Sequence, residues 1–144
     1  MGSASGSESI TINAPLADVL AVLRDLPSQA KWFPGLISSQ VLATDDEGRP
    51  TRARQVNDVK IAKDEYELDY THSDNGMSWN LASPSKAQKS SNGSWSLAPA
   101  GDGTKATLTL AIEPAIPLPG FLVKKTMGDM LKGATKGLKQ YCES

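Results

Sequence analysis

Residues 10–36 read ITINAPLADVLAVLRDLPSQAKWFPGL, and the hydrophobic period changes inside this one stretch. Ile10 and Ile12 alternate with polar neighbours across residues 8–13, the period-2 pattern of a half-buried strand. Beyond Pro15, the residues Leu16, Val19, Leu20, Leu23 and Leu26 fall three or four apart, which makes one side of a helix of about three turns apolar. Asn13 stands where a capping side chain would sit. Pro15 suits a first turn, because its φ is already helical and its missing N–H is not needed there. Pro27 and the Pro34-Gly35 pair bracket SQAKWF, a second short helix or a turn. A strand that feeds straight into helix opens a mixed fold, and the remainder of the chain decides which one.

From Leu36 to Pro114 the turn formers cluster every 10–14 residues or so, the spacing of an antiparallel meander. They predict strands at 36–44, 51–61, 65–72, 77–82, 87–98 and 104–113, which with the first strand makes seven. Pro114, Pro117 and Pro119 end the last strand, since proline neither donates to a ladder nor continues a helix. Residues 120–141 then place Val123, Met127, Met130, Leu131, Ala134, Leu138 and Tyr141 at helical spacing, with lysines over much of the rest. About 22 residues make a rod of about 33 Å, enough to cross a small domain. The expected class is α+β: a seven-stranded antiparallel sheet, one or two short helices after the first strand, and a long C-terminal helix. Residues 1–7, small and polar, read as a flexible lead, and residues 8–143 as a single domain.

Composition narrows the function classes. Fifteen basic against sixteen acidic residues give a net charge of −1, unlike the strongly basic balance of a general nucleic-acid binder. One cysteine, Cys142, excludes a disulfide scaffold. No apolar run approaches the roughly 20 residues of a membrane span, and no secretory leader is evident, so a cytoplasmic address is the default. The charge is uneven: residues 1–72 carry 7 basic and 11 acidic groups, residues 73–144 carry 8 and 5. The lysine-rich side of the last helix reads as a solvated face, with anionic lipid in peripheral contact, or an acidic carrier protein, as the alternative.

This order of elements resembles the START-like, or SRPBCC, superfamily, in which a curved sheet grips the C-terminal helix. The details are Ala14-Pro15 entering the helix, Trp32 before Pro34-Gly35, GSWSL at 93–97, and IPLPGFL before the last helix. They look most like the bacterial branch labelled polyketide cyclase/dehydrase. The resemblance implies a helix-grip fold with a cavity between sheet and helix, and leaves its contents open, because one fold hosts many functions.

Alternation in EYELDYTH sends Tyr66, Leu68, Tyr70 and His72 to one face and Glu65, Glu67, Asp69 and Thr71 to the other. Met77, Trp79 and Leu81 on the next strand, and Trp95, Leu97 and Leu110 beyond it, extend the inward set. Met127, Met130 and Leu131 face them from the helix. Together with Trp32 these residues are the candidate ligand-binding lining, or else simply a packed core; amphipathic aromatics and adaptable methionines suit either. Gly128, Gly133 and Gly137 each cost about 1 kcal/mol inside a helix, which points to close packing or to room for a ligand.

Catalytic candidates are fewer. His72, the sole histidine, has a general base's chemistry but sits at a strand end beside a turn. One His and one Cys fall short of a metal site, no cofactor-binding motif is present, and Cys142 reads as an ordinary thiol. Arg52 and Arg54 share a strand face opposite Ala53 and Gln55. The cyclase resemblance implies an inward arginine that polarises a carbonyl, with Arg54 as its counterpart here and Asp58 or Glu67 as its partner. Three functions are therefore weighed. The first is binding of a small hydrophobic molecule such as a lipid, polyketide or isoprenoid. The second is a polyketide aromatase/cyclase-dehydrase using Arg54 with Tyr66, Tyr70 or His72. The third is a partner-binding protein without a small ligand.

Overall fold

In the computed structural model, which describes residues 3–58 and 62–144, the chain opens with β1 (Ala4–Ile12), α1 (Leu16–Arg24) and a 3₁₀ helix (Leu26–Lys31). Six strands follow: β2 (Leu36–Thr44), β3 (Pro50–Asp58), β4 (Lys63–Ser73), β5 (Gly76–Leu81), β6 (Gln88–Ala100) and β7 (Gly103–Pro114). The long helix α2 (Gly120–Glu143) closes the chain. The strands form one curved antiparallel sheet ordered β1-β7-β6-β5-β4-β3-β2. Sequence neighbours pair in turn, except that β1 joins the last strand while β2 forms the opposite edge. The short helices therefore carry the chain from one sheet edge to the other. No helix among the described residues is long and apolar enough to cross a membrane.

Three expectations are corrected. Residues 4–7, read above as part of the lead, belong to β1: Ala4 pairs with Ile112 and Ser7 with Thr109, and exposure alternates along the whole strand. Its small residues hide the alternation because a bulky side chain would not fit. A Cβ on Gly6 would stand 3.1 Å from Leu131 Cδ1 of α2. Asn13 does not cap α1. Pro15 holds the N-cap position, and the Asn13 backbone N–H donates instead to Glu143 Oε2 (2.7 Å) at the far end of the chain. Leu26, counted into the first helix above, opens the 3₁₀ helix. The expected strand end at residues 59–61 lies outside the described residues.

The core sits between the inner face of the sheet and the helices. Ile12, Leu26, Ala106, Leu108, Ala134 and Leu138 are fully buried there. α2 turns Val123, Met127, Leu131, Ala134 and Leu138 inward and lies closest to β1 and β7. On β2, the register against β3 skips Ile37 and Leu42, and bulged residues lose their place in the in–out alternation. That is why both apolar side chains are exposed.

Candidate functional site

Alternation along β3, β4 and β5 decides what the interior contains. Leu68, Tyr70, Met77 and Trp79 are buried, with Tyr66 and His72 half-buried beside them. Tyr70 and Trp79 stack at a tilt with ring centroids 6.0 Å apart, and Trp32 meets Trp95 edge-on at the same distance. Trp79 reaches across the sheet over Gly93, where any Cβ would collide with the indole. Leu110, Met127 and Leu131 are buried in the same cluster, and Met130 packs against its margin. The proposed lining is thus one contiguous surface, shared by the sheet, α2 and the corner that carries Trp32.

Two of the helix glycines answer to packing. A Cβ on Gly133 would stand 2.8 Å from Pro34 Cγ, and one on Gly137 would collide with the Trp32 carbonyl, so these glycines let the chain after the 3₁₀ helix lie directly on α2. Gly128 faces open space.

Within this apolar interior lies a polar cluster. Gln55 of β3 is 3% exposed, and its Nε2, with two protons to donate, lies within hydrogen-bond reach of Gln29 Oε1 (3.1 Å), Ser39 Oγ (3.2 Å) and Tyr70 Oη (3.3 Å). The Tyr66 hydroxyl donates to Gln55 Oε1 at 3.2 Å. Burial, and secondarily the Asp64 charge, push the Tyr66 phenol well above its ordinary pKa; burial and then Tyr66 do the same to Tyr70. Both phenols therefore stay protonated and serve as neutral donors. Because the Tyr70 oxygen accepts from Gln55, its own proton is left for another acceptor. The indole N–H groups of Trp32 and Trp95 are buried without a partner. Asn57 Oδ1, an acceptor, and His72 Nδ1 are likewise buried without a partner, so unspent capacity of both kinds remains.

Of the catalytic candidates, Tyr66 and Tyr70 belong to this cluster and Arg54 does not. Ala53 and Gln55 take the inner face, so Arg54 points outward, contrary to the inward carbonyl-polarising arrangement. It pairs there with Glu67 (3.3 Å) and Glu65 (3.5 Å). Arg52 joins the same outer ladder through Asp69 (2.8 Å). His72 Nε2 hydrogen-bonds the Pro50 carbonyl. It stands six residues from Tyr66 along β4, about 20 Å at strand rise, but only two, about 7 Å, from Tyr70, and its Nδ1 is buried without a partner. Asp64 is buried on the Tyr66 side of β4, but it accepts from Ser85 Oγ (2.8 Å), Gln88 Nε2 (3.0 Å) and the Ala87 N–H (3.3 Å), fastening the β5–β6 loop. Partial burial, with Glu143 and Asp18 nearby, pushes the Cys142 thiol up to about 11, leaving it protonated at neutral pH. Among the described residues, no three His, Cys, Asp or Glu side chains come together in a way that could hold a metal ion.

Sequence reasoning missed Gln29, Ser39 and Gln55 as site residues. The signal was faint: Gln55 shows only as a polar residue at an inward position of β3, and the chain offers no local pattern that brings Gln29 and Ser39 to it.

A sheet wrapped on one long helix, with an aromatic interior and a buried polar end, defines the helix-grip class. Within it, the chain belongs to the family described as polyketide cyclase/dehydrase and lipid transport, whose profile matches residues 3–143. Solved structures agree on the fold. A START superfamily protein from Mycobacterium smegmatis superposes with a TM-score of 0.88 at 22% identity, over 96% of this chain and 97% of that one. The Zhui aromatase/cyclase from Streptomyces sp. R1128 gives 0.79 at 13% identity, over 98% and 94%. A STAR-related lipid transfer protein from Xanthomonas axonopodis gives 0.72 at 20% identity, over 97% and 86%. No curated protein sequence matches the chain.

Proposed function

We propose that the protein binds a small hydrophobic molecule, of lipid, polyketide or isoprenoid type, between the inner sheet face and α2. The ligand's oxygen-bearing end would lie at the Gln29, Ser39, Gln55, Tyr66 and Tyr70 cluster. The observation that carries this reading is the placement of a buried cluster of amides and hydroxyls within an aromatic and aliphatic interior. Apolar surface supplies affinity, and a few fixed polar groups set orientation. A carbonyl or carboxylate oxygen of the ligand would accept the proton that the Tyr70 hydroxyl does not spend within the cluster.

The cyclase reading draws support from the same protonated phenols, which suit donation to a carbonyl oxygen. Aldol closure also requires a base to take the α-proton. Among the described residues, no carboxylate of the cluster is free for that role, since Asp64 is committed to the β5–β6 loop. The remaining candidate is His72, two residues beyond Tyr70 on β4, whose Nδ1 is buried without a partner while its Nε2 bonds the Pro50 carbonyl. With that imidazole fastened to β3 rather than to the cluster, binding without turnover is the reading we favour.

The test is native mass spectrometry of the protein after mild extraction, paired with quenching of tryptophan emission by a long-chain fatty acid and by a hydroxylated naphthalenone. Saturable quenching by either probe that weakens in Gln55→Leu supports the proposal. A ligand-free spectrum together with no quenching by either probe would refute it.

A further inference from the structure

The corner where β7 passes into α2 exposes apolar side chains that neither the core nor the sheet geometry explains. Phe121 is 76% exposed, and Ile116, Leu118 and Leu122 are between 38% and 41% exposed. Beneath them runs a groove of about 340 Å³ lined by Lys89 and residues 114–119. Unlike Ile37 and Leu42, these residues are not displaced by a bulge. Phe121 lies off the buried stripe of Val123, Met127 and Leu131, and instead shares an outward stripe with Lys125, Lys132 and Lys136 at helical spacing. Pro114, Pro117 and Pro119 restrict the backbone that presents Ile116 and Leu118, so little conformational freedom remains to be lost on contact.

We propose that this corner docks onto an anionic lipid bilayer, with Phe121, Leu118 and Ile116 entering the headgroup boundary and Lys89 and Lys124 meeting lipid phosphates, while Lys125 is paired with Asp129 (2.9 Å). Charge selects this occupant. α2 carries five lysines against Asp129 and Glu143, while residues 1–72 hold 11 acidic groups against 7 basic ones. An anionic plane therefore attracts the lysine-bearing side of α2 that adjoins the corner. A second copy of the chain fits poorly, because a two-fold contact through Phe121 would set the Lys124 and Lys125 side chains against their own counterparts. The combination of an apolar tip and a basic collar is that of a peripheral anchor, in which buried apolar area and attraction to anionic lipid add. Docking does not depend on what the interior holds.

Vesicle flotation of the full chain tests this. It should float with vesicles of phosphatidylcholine containing about one-third phosphatidylglycerol, fail to float with phosphatidylcholine alone, and be released at about 0.5 M salt. Phe121→Ser should weaken partitioning about tenfold, and Lys124→Glu about fivefold or more. Both variants should keep the wild-type melting temperature, since both side chains are exposed. Gln55→Leu should float like wild type, which separates failure of docking from failure of the ligand proposal. Absence of flotation with anionic vesicles, equal flotation with neutral ones, or undiminished flotation of Phe121→Ser would each overturn the proposal. So would a wild-type dimer, seen by light scattering, that Phe121→Ser converts to monomer.

Discussion

The two faces of the β3–β4 pair are built from the same strands at the same spacing, yet they differ in what a polar group is worth. Outside, Arg52, Arg54, Glu65, Glu67 and Asp69 form a ladder of ion pairs in which every member is at least one-third exposed. Water solvates each partner as well as the pair does, so the ladder contributes little beyond solubility and a guarded surface. Inside, Gln55 has no charge and is 3% exposed. Losing one of its bonds leaves groups that water cannot reach, and such groups cost more than a surface pair gains. The conspicuous charges are therefore the expendable ones, and the inconspicuous amide holds the cluster together.

Four substitutions or titrations press on this contrast. The largest effect belongs to the apolar part of the inner face: Leu68→Ala should lower stability by about 2–5 kcal/mol in denaturant unfolding. A value below 1 would mean that the inner face is loosely packed. Gln55→Leu should cost about 1–3 kcal/mol, because it strands Gln29, Ser39 and the Tyr66 hydroxyl together. If the variant proves as stable as wild type, the cluster is solvated and the contrast between the faces collapses.

The phenols give a pH test of the same face. In the folded chain Tyr66 and Tyr70 keep their protons above the ordinary value of 10.0, whereas the unfolded chain releases them near it. Stability is thus undiminished below pH 10 and falls as pH rises further, by about 1 kcal/mol for each phenol at pH 11. Absorbance of phenolate should rise in step with unfolding, and Tyr66→Phe should move the alkaline midpoint upward. Ionisation of both phenols in a still-folded protein would show that they are wet. The smallest effect is outside: Arg54→Ala should change stability by about 0.2–1 kcal/mol, less at high salt. A larger loss, independent of salt, would give the outer ladder a structural role.

Legibility in the sequence followed the same division. Strands and helices that announce themselves by periodic burial were readable to within a few residues: the period-2 run of EYELDYTH and the 3–4 spacing after Pro119 each specify which side faces in. Residues 4–7 were not readable as strand. Small residues carry no hydrophobic signal, and their place in the sheet comes from pairing with β7 and from the press of Leu131 on Gly6. Alternation set Arg52 and Arg54 opposite Ala53 and Gln55 without saying which face is inward; the solvent-facing reading of the arginines holds, and the inward Arg54 that the family resemblance implied does not. The polar cluster stayed hidden because its members come from four elements, the 3₁₀ helix, β2, β3 and β4, which meet only in the folded chain.

Pairing of Ala4 with Ile112 and Ile12 with Thr104 also has a temporal side. During synthesis β1 emerges long before β7, by roughly 5–20 s at ordinary elongation rates. For that interval it is a bare strand, with its ladder groups open to any passing partner. ASGSES offers a stray strand almost nothing apolar to hold. The plainness of the opening residues thus guards the nascent chain against premature pairing until its own last strand arrives.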